Sequence, residues 1–460
     1  MFTTNKAITT VLLIFILFSA TISVYAETLS FDNVLDKSIH NSFDLKISDI
    51  NVDLSKSDLK ITRSEYYPRI QLHYNNEYEN NLGPRNAQFA SVGSTFISSS
   101  TRFQNLIYFD FRYNLLDFGI RRKKMLIAIN DIEQKELVYN QTLRDLKIDL
   151  IKLYTDALLS YKDIKLYENT LPIYKELFSI KEKLYTAGTS PKLELMEEAI
   201  NIARTQDRID SSKAALKTVL KDLSSYTFEE YDVEKIKLEN FKKFEQEEHE
   251  ITDFNINPIF KQSIEKKIIS LPQIKNNRTL EKKIYDLEIT KKKLELETLK
   301  RERFPKFEFY TNYMFYGSDE NNPLESFSDV RSRNVSVGIS ALLPIFDGFK
   351  NSASREKIAL EIQKLELEKQ KELNRINTEY NKLYGEAFSR IAELNNKEDL
   401  LFNVKEKLSA LKRMTNAKLT EESTVLNQKA ELLNQASDLE KSIIKTLSLI
   451  KQLEILSEEY

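Results

Sequence analysis

Two stretches of this chain, Ile120–Tyr185 and Phe349–Met414, are almost free of residues that break helices. The first holds a single proline (Pro172) and no glycine; the second holds a single glycine (Gly385) and no proline. Sixty-odd residues at 1.5 Å each reach roughly 100 Å when helical. The rest of the chain shares this character. Eight glycines and nine prolines in 460 residues fall far below the ordinary usage of roughly 7% and 5%, so turns are few and elements long. Leu143, Leu146, Leu150, Leu153, Ala157 and Tyr161 recur at spacings of three and four, and Leu360, Leu365 and Leu367, with Leu373 and Ile376 further on, mark a second stripe. Such a stripe marks a coiled-coil seam. Pro172 should kink or interrupt its helix near Leu171.

The order of parts occurs twice. Glu65-Tyr66-Tyr67-Pro68-Arg69-Ile70 closes one charged helical segment (41–65), and Arg303-Phe304-Pro305-Lys306-Phe307 closes another (278–303). Leu115-Leu116-Asp117-Phe118-Gly119 is matched by Leu343-Pro344-Ile345-Phe346-Asp347-Gly348, and Leu184-Tyr185-Thr186-Ala187-Gly188 by Met414-Thr415-Asn416-Ala417-Lys418. The second and third landmarks are displaced equally between halves. The proline landmark differs by a few residues, which places a length change in the loop between the strands of each half. Return helices follow at 191–224 and 421–458, and Pro191 suits a first helical turn, where its missing N–H costs nothing.

Between the proline and aspartate landmarks the residues alternate with period two. Ile70, Leu72, Tyr74 and Tyr78 oppose Gln71, His73, Asn75 and Glu77, and Ile107, Phe109, Phe111, Tyr113 and Leu115 oppose Tyr108, Asp110, Arg112 and Asn114. Phe307, Phe309, Tyr313 and Phe315 oppose Glu308, Tyr310 and Asn312; Val335, Val337, Ile339 and Ala341 oppose Ser336, Gly338 and Ser340. Strands near 69–79, 105–116, 306–316 and 334–343 are expected. Aromatic on one face and polar on the other, they suit a membrane barrel with a wet lumen; a half-buried sheet in a soluble domain uses the same alternation. Asn80–Gln104 and Gly317–Arg333 read as exposed loops, and 226–260 as a connector without sustained period.

Met1–Ala26 carries one cation (Lys6), an apolar run from Val11 to Phe18 and Val24-Tyr25-Ala26 before Glu27, the order of a secretory signal peptide. An uncleaved anchor is the alternative, but the apolar run is short for a spanning helix of roughly 20 residues. Glu27, where a lipid-modified chain would have cysteine, excludes lipid attachment there. With no other spanning apolar run, membrane entry requires a closed barrel. The chain has no cysteine, so disulfides cannot hold it together.

Catalysis finds little footing. The three histidines (His40, His73, His249) are scattered, and cysteine is absent, leaving no nucleophile–base or soft-metal constellation. No phosphate-cradling glycine loop exists, and paired carboxylates such as Glu197-Glu198 and Glu421-Glu422 lie in charge-rich helical stretches typical of a solvated face. Lys+Arg 68 against Asp+Glu 70 argues against a nucleic-acid surface. No enzyme activity and no cofactor are expected.

Taken in order and occurring twice, these landmarks make the chain from Glu27 onward resemble the TolC-type outer-membrane factor family. The resemblance implies a mainly α protein with a β-barrel part. Three chains would each give four strands to one 12-stranded barrel in the outer-membrane lipid, standing on a long α-helical tube in the periplasm. Residues 27–225 and 261–460 are the two repeats, with long helices 119–185 and 349–414, and 226–260 is the equatorial connector. The implied function is the passive exit duct of a tripartite efflux or type I secretion system. Its partners are a periplasmic adaptor (membrane fusion protein) and an inner-membrane pump. A periplasmic coiled-coil adaptor is the rival; adaptors nest one hairpin inside β-rich domains, however, where this order repeats.

Carried over by position, the periplasmic entrance ring falls at Glu194 and Glu197 in the first half and at Thr424 and Asn427 in the second. The adaptor-contacting tips are Tyr185, Ala187, Gly188 and Thr189, with Ala417, Lys418 and Leu419. Lys418 stands where glycine is usual, and the second acidic pair is neutral. Glu77, Asp110, Arg112 and Glu308, on the polar strand faces, would line the barrel lumen.

Overall fold

The computed structural model describes residues 27–78, 103–241, 258–271 and 279–458. The expected signal peptide, nearly all of the Asn80–Gln104 loop and part of the connector, His249 included, lie outside these residues. The described residues form two compact units, one drawn from 27–47, 139–241, 258–271, 279–280 and 373–458 and the other from 48–78, 103–138 and 281–372.

In chain order the elements are β1 (Glu27–Leu29), α1 (Phe31–Asn41), α2 (Phe43–Ser64), β2 (Arg69–Tyr78), β3 (Phe103–Leu116), α3 (Ile120–Thr186) and α4 (Lys192–Thr227). They continue as β4 (Ile236–Leu238), α5 (Pro258–Ser270), α6 (Leu280–Arg301), β5 (Lys306–Asp319), α7 (Pro323–Ser328), β6 (Arg331–Leu342), α8 (Lys350–Asn416) and α9 (Glu422–Ser457). The long helices α3 and α8 each contain 67 residues, and the return helices α4 and α9 each contain 36. One displacement relates Ile120 to Lys350, Lys192 to Glu422 and Gly188 to Lys418.

The first unit is a helical bundle whose core collects Leu150, Ile151, Leu158, Leu216, Leu220, Leu439, Ile450 and Leu453. Leu146, Leu150 and Ala157 of the first apolar stripe are buried there, with Leu143, Leu153 and Tyr161 packed at its margin. At its centre the Tyr154 hydroxyl lies 2.8 Å from the Leu29 carbonyl and 2.6 Å from that of Glu239. Its ring packs edge-on against Phe31 and Phe241, and burial pushes the phenol pKa up. Tyr154 thereby fastens the parallel pair β1–β4, in which Glu27 faces Ile236. The connector thus holds a strand and core contacts, a pairing too short for hydrophobic period to reveal.

The second unit is built on an antiparallel four-stranded sheet ordered β2-β3-β5-β6. The register aligns Ile70 with Phe111 and Thr311 with Phe111 and Val337, so one face is apolar across the sheet. Gln71, Asp110, Asn312 and Ser336 align in the same way on the opposite face.

Four expectations are corrected. The interruption expected at Pro172 does not occur, since α3 is continuous through it; a single missing N–H inside 67 residues does not end a helix whose Ile173 and Leu177 are anchored in an apolar cluster. Pro191 stands at the N-cap of α4, with φ −67° and ψ 149°, one position before its first turn. The segment 317–333 is no simple loop: β5 continues to Asp319, α7 follows, and β6 starts at Arg331. The second stripe divides, since Leu365 and Ile376 are buried while Leu360 and Leu367, seven residues apart, are exposed.

Candidate functional site: hairpin tips and polar sheet face

Both long helices end in the same hydrogen-bonded turn. After α3, the Gly188 N–H donates to the Tyr185 carbonyl at 2.9 Å and the Thr189 N–H to that of Leu184 at 2.9 Å. After α8, Lys418 N–H donates to Thr415 and Leu419 N–H to Met414, again at 2.9 Å. This pair of bonds is the Schellman motif, which needs a left-handed residue at its penultimate position. Gly188 supplies it at φ 74°, and Lys418 adopts it at φ 60°. Glycine is free there; a side chain costs roughly 1–2 kcal/mol. The second turn therefore keeps its shape without its glycine.

The tip residues Tyr185, Ala187, Gly188, Thr189, Ala417, Lys418 and Leu419 are all exposed in the chain. Leu426 and Ala430 of α9 pack with Leu166, Ile173 and Leu177 of α3 in one apolar cluster, which sets the first turns of α9 beside the last turns of α3.

The four ring candidates do not form a uniform set. Glu197, Thr424 and Asn427 are exposed. Glu194 instead reaches back across its hairpin: its carboxylate accepts from Lys181 Nζ at 2.7 Å and from the Ser190 hydroxyl at 2.9 Å. The bond from Lys181, and then that from Ser190, holds the Glu194 carboxyl below the usual carboxylate range, and Glu194 raises the Lys181 ammonium in turn. Half of the first hairpin's acidic pair is thus neutralised locally, leaving Glu197 as the uncompensated charge. Sequence reasoning missed Lys181, because only the facing of two antiparallel helices brings it to Glu194.

On the sheet, Glu77, Asp110, Arg112 and Glu308 share the polar face by register parity. Asp110 and Arg112 are brought together: Arg112 Nε donates to the buried Asp110 carboxylate at 2.8 Å. The Asn312 amide, with its nitrogen turned toward Asp110, donates to the other oxygen at 2.5 Å. Glu77, opposite Gln104, and Glu308, opposite Asn114, lie toward opposite ends of β3.

The model of the outer membrane efflux protein family matches residues 34–227. By fold the chain is similar to the outer membrane channel CmeC of Campylobacter jejuni, with 14% identity and a TM-score of 0.70 over 93% of this chain and 86% of that one. The resemblance to the TolC-type outer-membrane factors holds. The outer membrane protein VceC of Vibrio cholerae gives 11% identity and a TM-score of 0.68, covering 92% of this chain and 96% of that one. The open state of the outer membrane channel MtrE of Neisseria gonorrhoeae gives 10% and 0.61, covering 93% and 88%. No curated protein matches the chain in sequence. Among the described residues no helix is long and apolar enough to cross a membrane.

Proposed function

We propose that this chain is the outer-membrane channel of a tripartite efflux or type I secretion system. Three copies form a passive duct for cargo delivered by an inner-membrane pump through a periplasmic adaptor. The observation that carries this reading is the sheet: it is apolar on one face and polar on the other, and the outer edges of β2 and β6 are each unpaired among the described residues. Unpaired strand edges are not tolerated in hydrocarbon, so a membrane sheet of this kind must close on copies of itself. Three copies give a 12-stranded barrel with Asp110, Arg112, Glu77 and Glu308 inside and Leu72, Val335 and Val337 outside.

The helices support the same assembly. Phe43, Ile47, Ile50, Leu54 and Ile61 of α2 recur at heptad spacing, and each is more than half exposed in the single chain. With Leu360 and Leu367 of α8 they make apolar seams awaiting a helix from another copy. The equal lengths of α3 and α8, and of α4 and α9, fit an internal twofold repeat building a tube in the periplasm. In this assembly the turns at Gly188 and Lys418 are the adaptor-facing tips, and Glu197 with Glu194, Thr424 and Asn427 rings the entrance. The channel itself performs no chemistry.

Fractionation tests the assembly. The protein should sediment with outer membrane, require detergent for extraction, cross-link as a trimer and conduct ions in a planar bilayer; recovery in the soluble periplasmic fraction would overturn the reading. The ring is tested by thiol block, for which the chain's lack of cysteine leaves a clean background. A charged thiol reagent should cut the conductance of Glu197→Cys, and an unchanged conductance would remove Glu197 from the ring.

A further inference from the structure

We propose that the short helix α7 is a membrane-interface anchor, seating Leu324 and Phe327 in the lipid headgroup boundary at the end of the sheet away from the long helices. This rests on the reading of the sheet as part of a membrane barrel.

The first observation is the face on which α7 lies. Asn105 and Gly317 oppose each other in the β3–β5 register and share parity with Ile107, Phe109, Tyr313 and Phe315, the apolar face. Asn105 is fully buried, and its amide nitrogen donates to the hydroxyl of Ser326, in the middle of α7. Its carbonyl oxygen accepts from the Tyr74 hydroxyl at 3.0 Å and from the Asn76 amide at 2.7 Å. At Gly317 a Cβ would collide with the Ser326 carbonyl and the Val330 nitrogen, so the chain crosses the sheet on the side where that Cβ would point. The strap therefore covers the polar end of the face that is otherwise apolar.

The second observation is that the strap is built. Asp319 accepts from the Asn321 and Asn322 N–H groups at 2.8 and 2.7 Å. Asn322 caps α7 through the Leu324 N–H at 3.0 Å, and Asp329 closes the far side with Arg331 at 3.0 Å and Arg333 at 3.4 Å. Gly317, Asn105 and Ser326 hold the helix against the sheet in one seating.

The third is what this seating presents outward. Leu324 is 78% exposed and Phe327, three residues on, 55%, while the polar Ser326 is the side chain turned inward. A helix that merely closed a turn over a wet surface would invert this arrangement. Apolar side chains beyond a polar, fully satisfied seat, flanked by Glu325, Asp329, Arg331 and Arg333, match an element at the headgroup–acyl boundary, where apolar groups enter by about 5–10 Å while charges stay among headgroups. The occupant is lipid, because the patch continues the apolar sheet face and stands at its rim, where barrels carry their interfacial girdle.

The chain contains no tryptophan, so a single introduced one reports alone. Full-length Phe327→Trp is reconstituted into phosphatidylethanolamine–phosphatidylglycerol vesicles carrying spin-labelled lipid, with the label either next to the headgroup or deep in the acyl chain. Val337→Trp, on the apolar face within β6, is the control. The expected result is blue-shifted emission from Phe327→Trp with its greatest loss from the shallow label, and from Val337→Trp its greatest loss from the deep label. Water-like emission from Phe327→Trp, quenched by iodide and by neither lipid label while Val337→Trp is quenched, overturns the anchor alone. Absence of lipid quenching at both positions overturns the barrel reading and the anchor with it. Leu324→Trp gives the same readout if Phe327→Trp fails to assemble.

Discussion

The two hairpin tips have the same backbone and different chemistry. Each long helix ends in a Schellman turn with matching hydrogen bonds, yet one turn pivots on Gly188 and the other on Lys418. The first tip carries the Lys181–Glu194 pair; at the same offset the second has Leu411 and Thr424. Both members of the pair are replaced together, so neither hairpin leaves a lone lysine or a lone glutamate at that level. The hydrogen-bond pattern fixes the turn, while the side chains around it are free to differ. The first tip thus combines an unstrained turn with an ion pair, and the second a strained turn with no charge at those positions.

The strand-to-helix joints repeat this relation. Asp117-Phe118-Gly119 and Asp347-Gly348-Phe349 both place two successive residues at positive φ, with the order of glycine and phenylalanine reversed. Asp117 accepts from the Gly119 and Arg121 N–H groups at 3.0 Å, and Asp347 from Asn351 at 2.9 Å. Burial opposes ionisation of Asp117, but the bonds from Arg121 and Gly119 outweigh it and hold the carboxyl below its usual range. At the second joint the aspartate is exposed.

The contrast between the tips can be broken most directly at Gly188. Gly188→Val forces a β-branched residue into the left-handed region, at a cost of about 2 kcal/mol. Hydrogen exchange at the Thr189 amide should accelerate by roughly tenfold or more, with Leu419 unchanged; equal exchange before and after would mean that the first turn does not depend on glycine. The converse, Lys418→Gly, removes the strain but adds freedom to the unfolded chain, for a net gain of about 0.5–1 kcal/mol. Slower exchange at the Leu419 amide checks it.

Lys181→Met leaves Glu194 unneutralised. In planar bilayers the reversal potential under a salt gradient should move toward greater cation selectivity, whereas Leu411→Met at the second tip should leave it in place. Acid gives the smallest and most local effect. Because the Glu194 carboxyl is lowered in the folded protein, the pair's contribution is complete above the ordinary carboxylate pKa and fades as pH falls through the lowered folded value. Below that point, loss of exchange protection confined to the Leu184–Ser190 turn is expected, with the Met414–Thr420 turn unaffected.

The turns, joints and long helices were legible because each rests on short-range signals: a proline, an Asp-Gly element, or sixty residues without a breaker. Leu365 and Leu367 show where such signals end. Two residues apart in a charged helix, they fall on opposite sides, one buried and one exposed, and only the packing partners decide which. Lys181–Glu194 escaped for a similar reason, since helix rotation about the hairpin is a tertiary property. α7 was hidden inside a stretch whose Asn, Ser and Asp content reads as loop. The local signal was nonetheless present in Asn322-Pro323, an N-cap followed by a first-turn proline. Polar residues such as Asn105 look like a break in strand alternation until the helix that covers them is seen.

The shared length of α3 and α8 carries a consequence for how this sequence can drift. A helix of 67 residues works as a ruler with a thread: deleting one residue shortens it by about 1.5 Å and rotates everything beyond the cut by about 100°. That rotation would swing Leu150 and Ala157, or Tyr380 and Ala387, out of the core they now fill. Substitutions such as glycine to lysine at a turn cost only local strain and leave the thread intact, while insertions and deletions are admitted only between the strands or in multiples that restore it.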